Sequence, residues 1–222
     1  MNTLESKNIN LLIDFDSTII KDESLELLSE ISVKNSEDKI KIANITRDAM
    51  EGKTGFSNAL KERVVLLKST KKQLKDVITV IEKRLTDSFI KNKDFFRHNS
   101  TNCFIISGGF IEIIHPVLEP FNILKSNIFA NEFLYDKNDN IISVNHDNLL
   151  SKNKGKVEVA KNIIGQNIII GDGYTDYEVK QSGHAKRFIQ FSENINRPIL
   201  NSLADYTAYN FNDVINYIEN NF

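Results

Sequence analysis

Apolar residues along the chain follow two different periods. Short apolar runs at 9–13, 103–106 and 167–170 lack helical spacing, which is typical of strands buried in a parallel sheet. Between the first two runs, apolar residues such as Leu60 and Val64 recur at intervals that place them on one helix face. The pattern therefore predicts sheet strands on both sides of a helical insertion.

The extent of the helical pattern indicates how the chain is divided. Residues 22–99 contain very little glycine and no proline, and their apolar stripes predict four or five helices. The β-prone runs 128–135 and 141–145 flank a polar turn, which predicts a hairpin. Strands alternating with helices indicate an α/β fold with a doubly wound, mostly parallel, Rossmann-like sheet. We expect residues 1–21 and 100–222 to form this core and 22–99 to form an inserted helical-bundle cap.

Composition and charge narrow the classes of partner. The net charge of the 222 residues is -2, so no global basic field attracts nucleic acid or an anionic membrane. No apolar run approaches the ~20 residues of a membrane span, and the polar stretch Met1–Asn8 is unlike a secretory signal. Cys103 is the only cysteine, which excludes an intrachain disulfide and fits a reducing compartment. We expect a cytoplasmic protein, either a monomer or a homodimer.

Polar side chains stand at the ends of the predicted strands. Asp14 and Asp16 follow the first strand, Ser107 ends the second and Asp172 follows the third. The carboxyl ends of parallel strands meet at one edge of a sheet, where ligands of open α/β sheets bind. Clustered carboxylates repel one another unless they bind a cation or a proton, and hard oxygen ligands favour Mg²⁺ over Zn²⁺. Taken alone, Asp14 and Asp16 could equally be loop acids and helix caps.

Four motifs in order make the assignment more specific. They are Asp14-Phe-Asp16-Ser-Thr18, Ser107-Gly-Gly109, Lys154 and Gly171-Asp172-Gly-Tyr-Thr-Asp176. Together they resemble the haloacid dehalogenase superfamily of phosphotransferases over nearly the whole chain. The resemblance implies Mg²⁺-dependent hydrolysis of a small phosphomonoester through an aspartyl phosphate.

The resemblance also implies a role for each motif residue. Asp14 would be the nucleophile, and Asp16 would be general acid and then general base. Metal ligands would be Asp14, Asp172 and Asp16, the last through its backbone carbonyl, with Asp176 supporting them from the next layer. The implied phosphate-binding residues are Ser107, Gly108, Gly109, Lys154 and Thr175.

Two positions leave the motif open to more than one interpretation. Lys152, Lys154 and Lys156 are close neighbours, and the family pattern of Lys-Gly or Lys-Ala at a helix start favours Lys154, with Lys156 as the alternative. Thr175 stands where many relatives have asparagine, although its hydroxyl can still donate a hydrogen bond.

Helical residues before the second strand carry the substrate prediction. Phe56 and Arg63 share one face of a predicted helix, and an arginine in an apolar stripe is costly unless it is paired or faces a ligand. The residues alone leave open an internal Glu23–Arg63 salt bridge or an arginine on a solvated helix edge. A guanidinium binds a carboxylate through two hydrogen bonds, which suits an amino-acid substrate.

Within the superfamily the chain most resembles phosphoserine phosphatases. This resemblance implies that Glu23 binds the ammonium of phosphoserine, Arg63 binds its carboxylate, and Met50 and Phe56 shield the site from water. Other open interpretations are a phosphotransferase to homoserine and a phosphatase for another small amine or sugar phosphate. A protein of a different class, binding ligand on the same fold without catalysis, is the remaining alternative.

Overall fold

Short apolar runs form strands in this computed structural model, which describes residues 3–222. The run Ile9–Ile13 is buried at every position, as expected for a strand covered on both faces. The strands are β1 Ile9–Ile13, β2 Cys103–Phe110, β3 Ile128–Asn131, β4 Phe133–Tyr135, β5 Ile141–Val144, β6 Gln166–Gly171, β7 Arg187–Phe191 and β8 Tyr206–Ala208.

Six strands form one parallel sheet in the order β3-β2-β1-β6-β7-β8. The first strand lies at its centre, where Leu12 pairs with Phe104 of β2 and with Ile169 of β6. Strand β2 runs three residues beyond the predicted end at Ser107, and its pairing with β3 shifts register between Ile106 and Phe110. The predicted α/β fold with a mostly parallel, Rossmann-like sheet is confirmed.

Helices pack on both faces of the sheet because successive side chains of a strand point to opposite sides. Leu11 and Ile13 of β1 join one core cluster, and Leu12 between them joins the other. The helices are α1 Thr3–Ser6, α2 Ser24–Ser32, α3 Ser36–Met50, α4 Phe56–Leu67, α5 Lys71–Ile81, α6 Asp87–Lys91, α7 Lys93–His98, α8 Ile111–Leu118, α9 Gly155–Ala160, α10 Tyr174–Gln181 and α11 Phe211–Asn221.

The insertion between β1 and β2 contains six helices, α2 to α7, one more than the largest number expected. The last two of them pack against the C-terminal helix α11. The ring centroid of Phe211 lies 5.5 Å from that of Phe89 and 5.1 Å from that of Phe96. The division into a core and a cap at residues 22–99 stays a prediction, and Met1 and Asn2 of the expected core lie outside the described residues.

The predicted hairpin forms from part of the two β-prone runs. Strands β4 and β5 pair antiparallel and form the hairpin. Strand β3, which is the first half of the run 128–135, joins the main sheet instead. None of the helices within residues 3–222 has both the length and the apolar character that crossing a membrane requires.

Candidate active site

Buried carboxyl groups meet at the carboxyl edge of the six-stranded sheet. Asp14 follows β1, and its backbone N–H continues the strand ladder by donating to the Ile170 carbonyl at 2.9 Å. Asp172 follows β6, and Asp176 lies in the first turn of α10. One carboxylate oxygen from each acid lies within 4.8 Å of the others. The structure therefore brings Asp14, Asp172 and Asp176 into one cluster.

The turn between β6 and α10 fixes the third acid of this cluster. The N–H of Gly173 donates to Asp176 Oδ2 at 3.1 Å, which ties the carboxylate to the start of its own helix. A Cβ atom at Gly171 would lie 2.3 Å from Cγ of Asp176, so only glycine leaves room for the carboxylate. The Gly-Asp-Gly sequence thus shapes the backbone around the acids.

Lys156 is the cation of the cluster, and the prediction that Lys154 takes this place is wrong. Lys156 Nζ lies 2.6 Å from Asp14 Oδ2 and 2.8 Å from Asp176 Oδ1, and its side chain is buried. Lys154 is exposed, and it precedes α9 in a left-handed conformation with φ of 60°. Burial opposes the charge of Lys156, but the charges of Asp14 and Asp176 outweigh burial and raise its pKa.

The acid cluster has the character of a cation site. Burial raises the pKa of Asp172, and burial raises that of Asp176 to about 8, in each case with Asp14 adding to the effect. Asp172 Oδ1 is buried and has no hydrogen-bond partner among the described residues. Carboxylate oxygens in this arrangement fit a hard divalent cation, which would neutralise the cluster.

Asp16 lies beside the cluster, and both oxygens of its carboxyl group accept hydrogen bonds from Ser24. Its Oδ1 accepts a hydrogen bond from the Ser24 N–H at 2.9 Å, and its Oδ2 accepts one from Ser24 Oγ at 3.1 Å. Burial, followed by the charge of Asp14, raises the pKa of Asp16 to about 7. A carboxyl group that titrates near neutral pH is suited to giving and taking a proton.

Ser107 and Thr175 carry the hydroxyl groups that are predicted to bind phosphate. Ser107 is buried, and its Oγ accepts from the Gly109 N–H at 2.9 Å. Thr175 Oγ1 is buried without a hydrogen-bond partner in the described part of the chain. The cavity in front of Asp14 is lined by Asp14, Asp16, Leu25, Met50, Phe56, Arg63, Gly108, Lys156 and Thr175. Most of the residues singled out from the sequence therefore face one small space.

Arg63 is the buried cation on the helical side of this cavity. It is 3% exposed, and among the described residues its guanidinium donates only to neutral groups, Ala59 O at 3.3 Å and Thr46 Oγ1 at 3.2 Å. Within residues 3–222 it forms no ion pair, which excludes both the internal salt bridge with Glu23 and the solvated helix edge. Burial lowers the pKa of Arg63, against the charges of Glu23 and Asp16. An anionic ligand would supply the missing partner.

Glu23 is the acidic residue among the predicted substrate-binding residues. It stands directly before α2, and its Oε1 accepts from Ser17 Oγ at 2.8 Å. Burial raises the pKa of Glu23 well above its ordinary value, and the charges of Asp16 and Asp172 raise it further. A cationic group bound here would favour the ionised form of Glu23.

Sequence reasoning missed Arg197, which belongs to the same network. Its Nε donates to Asp172 Oδ2 at 2.8 Å, and its Nη2 lies 3.9 Å from Glu23 Oε1. The Gln190 side chain of β7 donates to the backbone carbonyl of Arg197 at 3.1 Å and holds it in place. Arg197 lies in an irregular loop outside every motif identified in the sequence. Its only signal is its proximity to the acids of the sheet edge, and that proximity is visible only in the folded chain.

Comparisons with known proteins find similarity over most of the chain. The haloacid dehalogenase-like hydrolase family matches residues 11–179. The phosphoserine phosphatase of Drosophila melanogaster is 31% identical over 91% of this chain and 75% of its own length. The phosphoserine phosphatase of Homo sapiens is 29% identical over 93% and 91% of the two chains.

A solved structure extends the agreement to three dimensions. The crystal structure of a phosphoserine phosphohydrolase-like protein from Francisella tularensis subsp. tularensis SCHU S4 superposes with a TM-score of 0.85 at 33% identity. The match covers 94% of this chain and 99% of that one. The family match, the relatives and the shared fold together show that this chain belongs to the haloacid dehalogenase-like hydrolases and is a phosphoric monoester hydrolase.

Proposed function

We propose that this enzyme hydrolyses O-phosphoserine to serine and phosphate through a phosphorylated Asp14. The observation that carries the proposal is Arg63, a buried guanidinium without an ion pair in the described chain, which lines the same cavity as Asp14. A small substrate with a phosphate at one end and a carboxylate at the other would satisfy both groups. The relatives named as phosphoserine phosphatases support the same substrate.

The proposed chemistry uses Asp14 and Asp16 in turn. The Asp14 carboxylate attacks phosphorus, the bond from phosphorus to the serine oxygen breaks, and Asp16 donates its proton to that oxygen. A water molecule then loses a proton to Asp16 and attacks the phosphorus, which releases phosphate and restores Asp14. The raised pKa of Asp16, about 7, supports a group that carries a proton in one half-reaction and accepts it in the other.

Positive charge and N–H groups would hold the phosphoryl oxygens. Lys156 lies within hydrogen-bond distance of Asp14 and would balance the charge that the nucleophile and the phosphate share. Ser107, Gly108, Gly109 and Thr175 are proposed to donate to the phosphate, and the buried, unpartnered Thr175 Oγ1 supports this role.

Mg²⁺ is the proposed cofactor, held by Asp14, Asp172 and the backbone carbonyl of Asp16. When bound, it supplies positive charge that stabilises the negative charge of the phosphoryl oxygens. The unpartnered Asp172 Oδ1 supports a ligand role, since Arg197 already occupies the other oxygen of that carboxylate. Asp176 is proposed to orient Lys156 and to contribute charge to the same cluster.

The helical residues are proposed to select the substrate. Arg63 would bind the carboxylate of phosphoserine and Glu23 its ammonium, while Met50 and Phe56 would exclude water. Residues 22–99 would act as a cap over the sheet edge, and the substrate would reach it in the cytoplasm. Buried Cys103, whose pKa burial raises to about 12, has the character of an inert core thiol and is compatible with that compartment.

A substrate panel tests the proposal. Phosphate release with Mg²⁺ would be measured for O-phosphoserine, for O-phosphoethanolamine, which lacks the carboxylate, and for 3-phosphooxypropionate, which lacks the ammonium. We expect phosphoserine to have the highest kcat/KM and a chelator to abolish all release. Equal kcat/KM for phosphoserine and phosphoethanolamine would contradict a carboxylate-binding Arg63, and transfer to added homoserine would favour the phosphotransferase instead.

A further inference from the structure

Helix α4 receives its N-terminal cap from a distant part of the chain. Its N-cap residue is Gly55, which has no side chain to accept hydrogen bonds from the first turn. The Ser57 N–H donates instead to Asn153 Oδ1 at 3.0 Å, across a separation of 96 positions. A side chain of the loop before α9 thus completes the start of a helix in the insertion.

Two apolar contacts between a ring and a glycine lie near this bond. The Phe56 ring packs against bare backbone, since a Cβ atom at Gly108 would lie 2.6 Å from Phe56 Cζ. The Tyr174 ring packs in the same way on Gly52, where a Cβ atom would lie 2.9 Å from Cγ of the ring. Such contacts exclude water but specify direction weakly, whereas a hydrogen bond to a helix N-terminus fixes one geometry.

The loop that carries Asn153 is itself fixed against the phosphate side of the cavity. Three positions after Asn153, Lys156 contacts Asp14. Between Asn153 and Lys156, a Cβ atom at Gly155 would lie 2.4 Å from the Leu149 carbonyl oxygen, so the loop packs closely on the preceding segment. On the other side of the bond, α4 carries Phe56 in its first turn and Arg63 two turns on. The hydrogen bond between Ser57 and Asn153 therefore links the position of Lys156 to the positions of Phe56 and Arg63, the proposed substrate-binding residues.

We infer that Asn153 is a positioning residue that holds α4, and through it Phe56 and Arg63, over the phosphate side of the cavity. The inference rests on the proposed function for the identity of the substrate, but the link between Asn153 and α4 can be measured without substrate. An N-terminal cap contributes typically ~1 kcal/mol, which corresponds to about a fivefold change in an equilibrium.

Three variants test this inference. Asn153→Ala removes the acceptor, and Asn153→Asp keeps an acceptor and adds a negative charge that suits a helix N-terminus. Asn162→Ala is the matched control, because Asn162 is an exposed asparagine that donates to Glu158 O within its own segment at 2.9 Å. Amide hydrogen exchange of residues 56–60 would be measured in the free enzyme, and kcat and KM for phosphoserine and for p-nitrophenyl phosphate.

In Asn153→Ala we expect about fivefold faster exchange in the first turn of α4 and about a fivefold higher KM for phosphoserine. The KM for p-nitrophenyl phosphate, which has no carboxylate, should change less, and Asn153→Asp and Asn162→Ala should match the wild type. Wild-type exchange and KM in Asn153→Ala would overturn the inference, as would Asn153→Asp behaving like alanine. If the wild type fails to cleave phosphoserine, the exchange data still decide the role of Asn153.

Discussion

The two sides of the cavity are built in different ways. On the sheet side, Asp14 and Asp172 follow neighbouring strands in which Ile13 pairs with Ile170, so backbone hydrogen bonds set their separation. On the helical side, Arg63 lies on α4 and, within the part of the chain that the structure describes, donates only to groups of its own insertion. A sheet edge fixes the distances between its charged groups. The position of a charge on a separate helix depends instead on how that helix packs against the sheet.

This difference predicts different kinetic effects for the two sides. Substitutions at the sheet edge should lower kcat, because the groups there are proposed to act on the phosphoryl group itself. Substitutions on the helices should raise KM for phosphoserine and spare esters that lack its amino-acid end.

The strongest test of the sheet side is Asp14→Asn. The amide has the shape of the carboxylate but cannot form the phosphorylated enzyme, so we expect kcat to fall by at least about 1,000-fold. Phosphate release from phosphoserine measures the effect, and an unchanged melting curve shows that the variant is folded. Wild-type turnover in this variant would exclude the covalent mechanism.

The second test compares Lys156→Met with Lys154→Met. Removing Lys156 leaves buried carboxylates without their cation, so we expect at least about a 100-fold loss of kcat and a decrease of about 3 kcal/mol in the free energy of unfolding. Lys154 is exposed, so its variant should change the free energy of unfolding by less than about 0.5 kcal/mol. Activity and urea unfolding measure both variants, and the reverse ranking would restore Lys154 as the active lysine.

On the helical side, Arg63→Ala should raise the KM for phosphoserine about thirtyfold, which corresponds to about 2 kcal/mol of lost binding. Arg63→Lys keeps the charge but loses the paired N–H geometry, so its KM for phosphoserine should lie between those of the wild type and Arg63→Ala. Both variants would be assayed with phosphoserine and with p-nitrophenyl phosphate. An equal loss on the two esters would mean that Arg63 supports the site without contacting the carboxylate.

We expect the smallest effect for Arg197, which contacts Asp172 on the sheet side and Glu23 on the helical side. Arg197→Gln removes the guanidinium that holds Asp172 Oδ2, so Asp172 should be less well oriented and we expect Mg²⁺ to bind about tenfold more weakly. Calorimetric titration with Mg²⁺ in the absence of substrate measures this directly. Arg187→Gln is the control, since Arg187 donates to the Lys186 carbonyl away from the acids. Unchanged Mg²⁺ affinity in Arg197→Gln would show that Asp172 does not depend on it.

Strand ends were the most predictable part of the site. A buried run followed by an acid places that acid at the sheet edge whatever the rest of the fold does, so Asp14 and Asp172 could be located from the sequence. The choice between Lys154 and Lys156 could not, because it depends on whether α9 begins at Gly155 and on which side chain the first turn directs inward. Arg197 gave no local signal, since its importance comes from a partner 25 positions earlier.

Local periodicity and residue type were enough to predict the alternation of strands and helices, the family motifs and the identity of the acids. The folded chain was needed to show which lysine meets Asp14, that Arg63 is buried without an ion pair in the described chain, and that Asn153 caps a helix 96 positions away. These facts are distances between segments remote in sequence, and packing of the whole chain sets them.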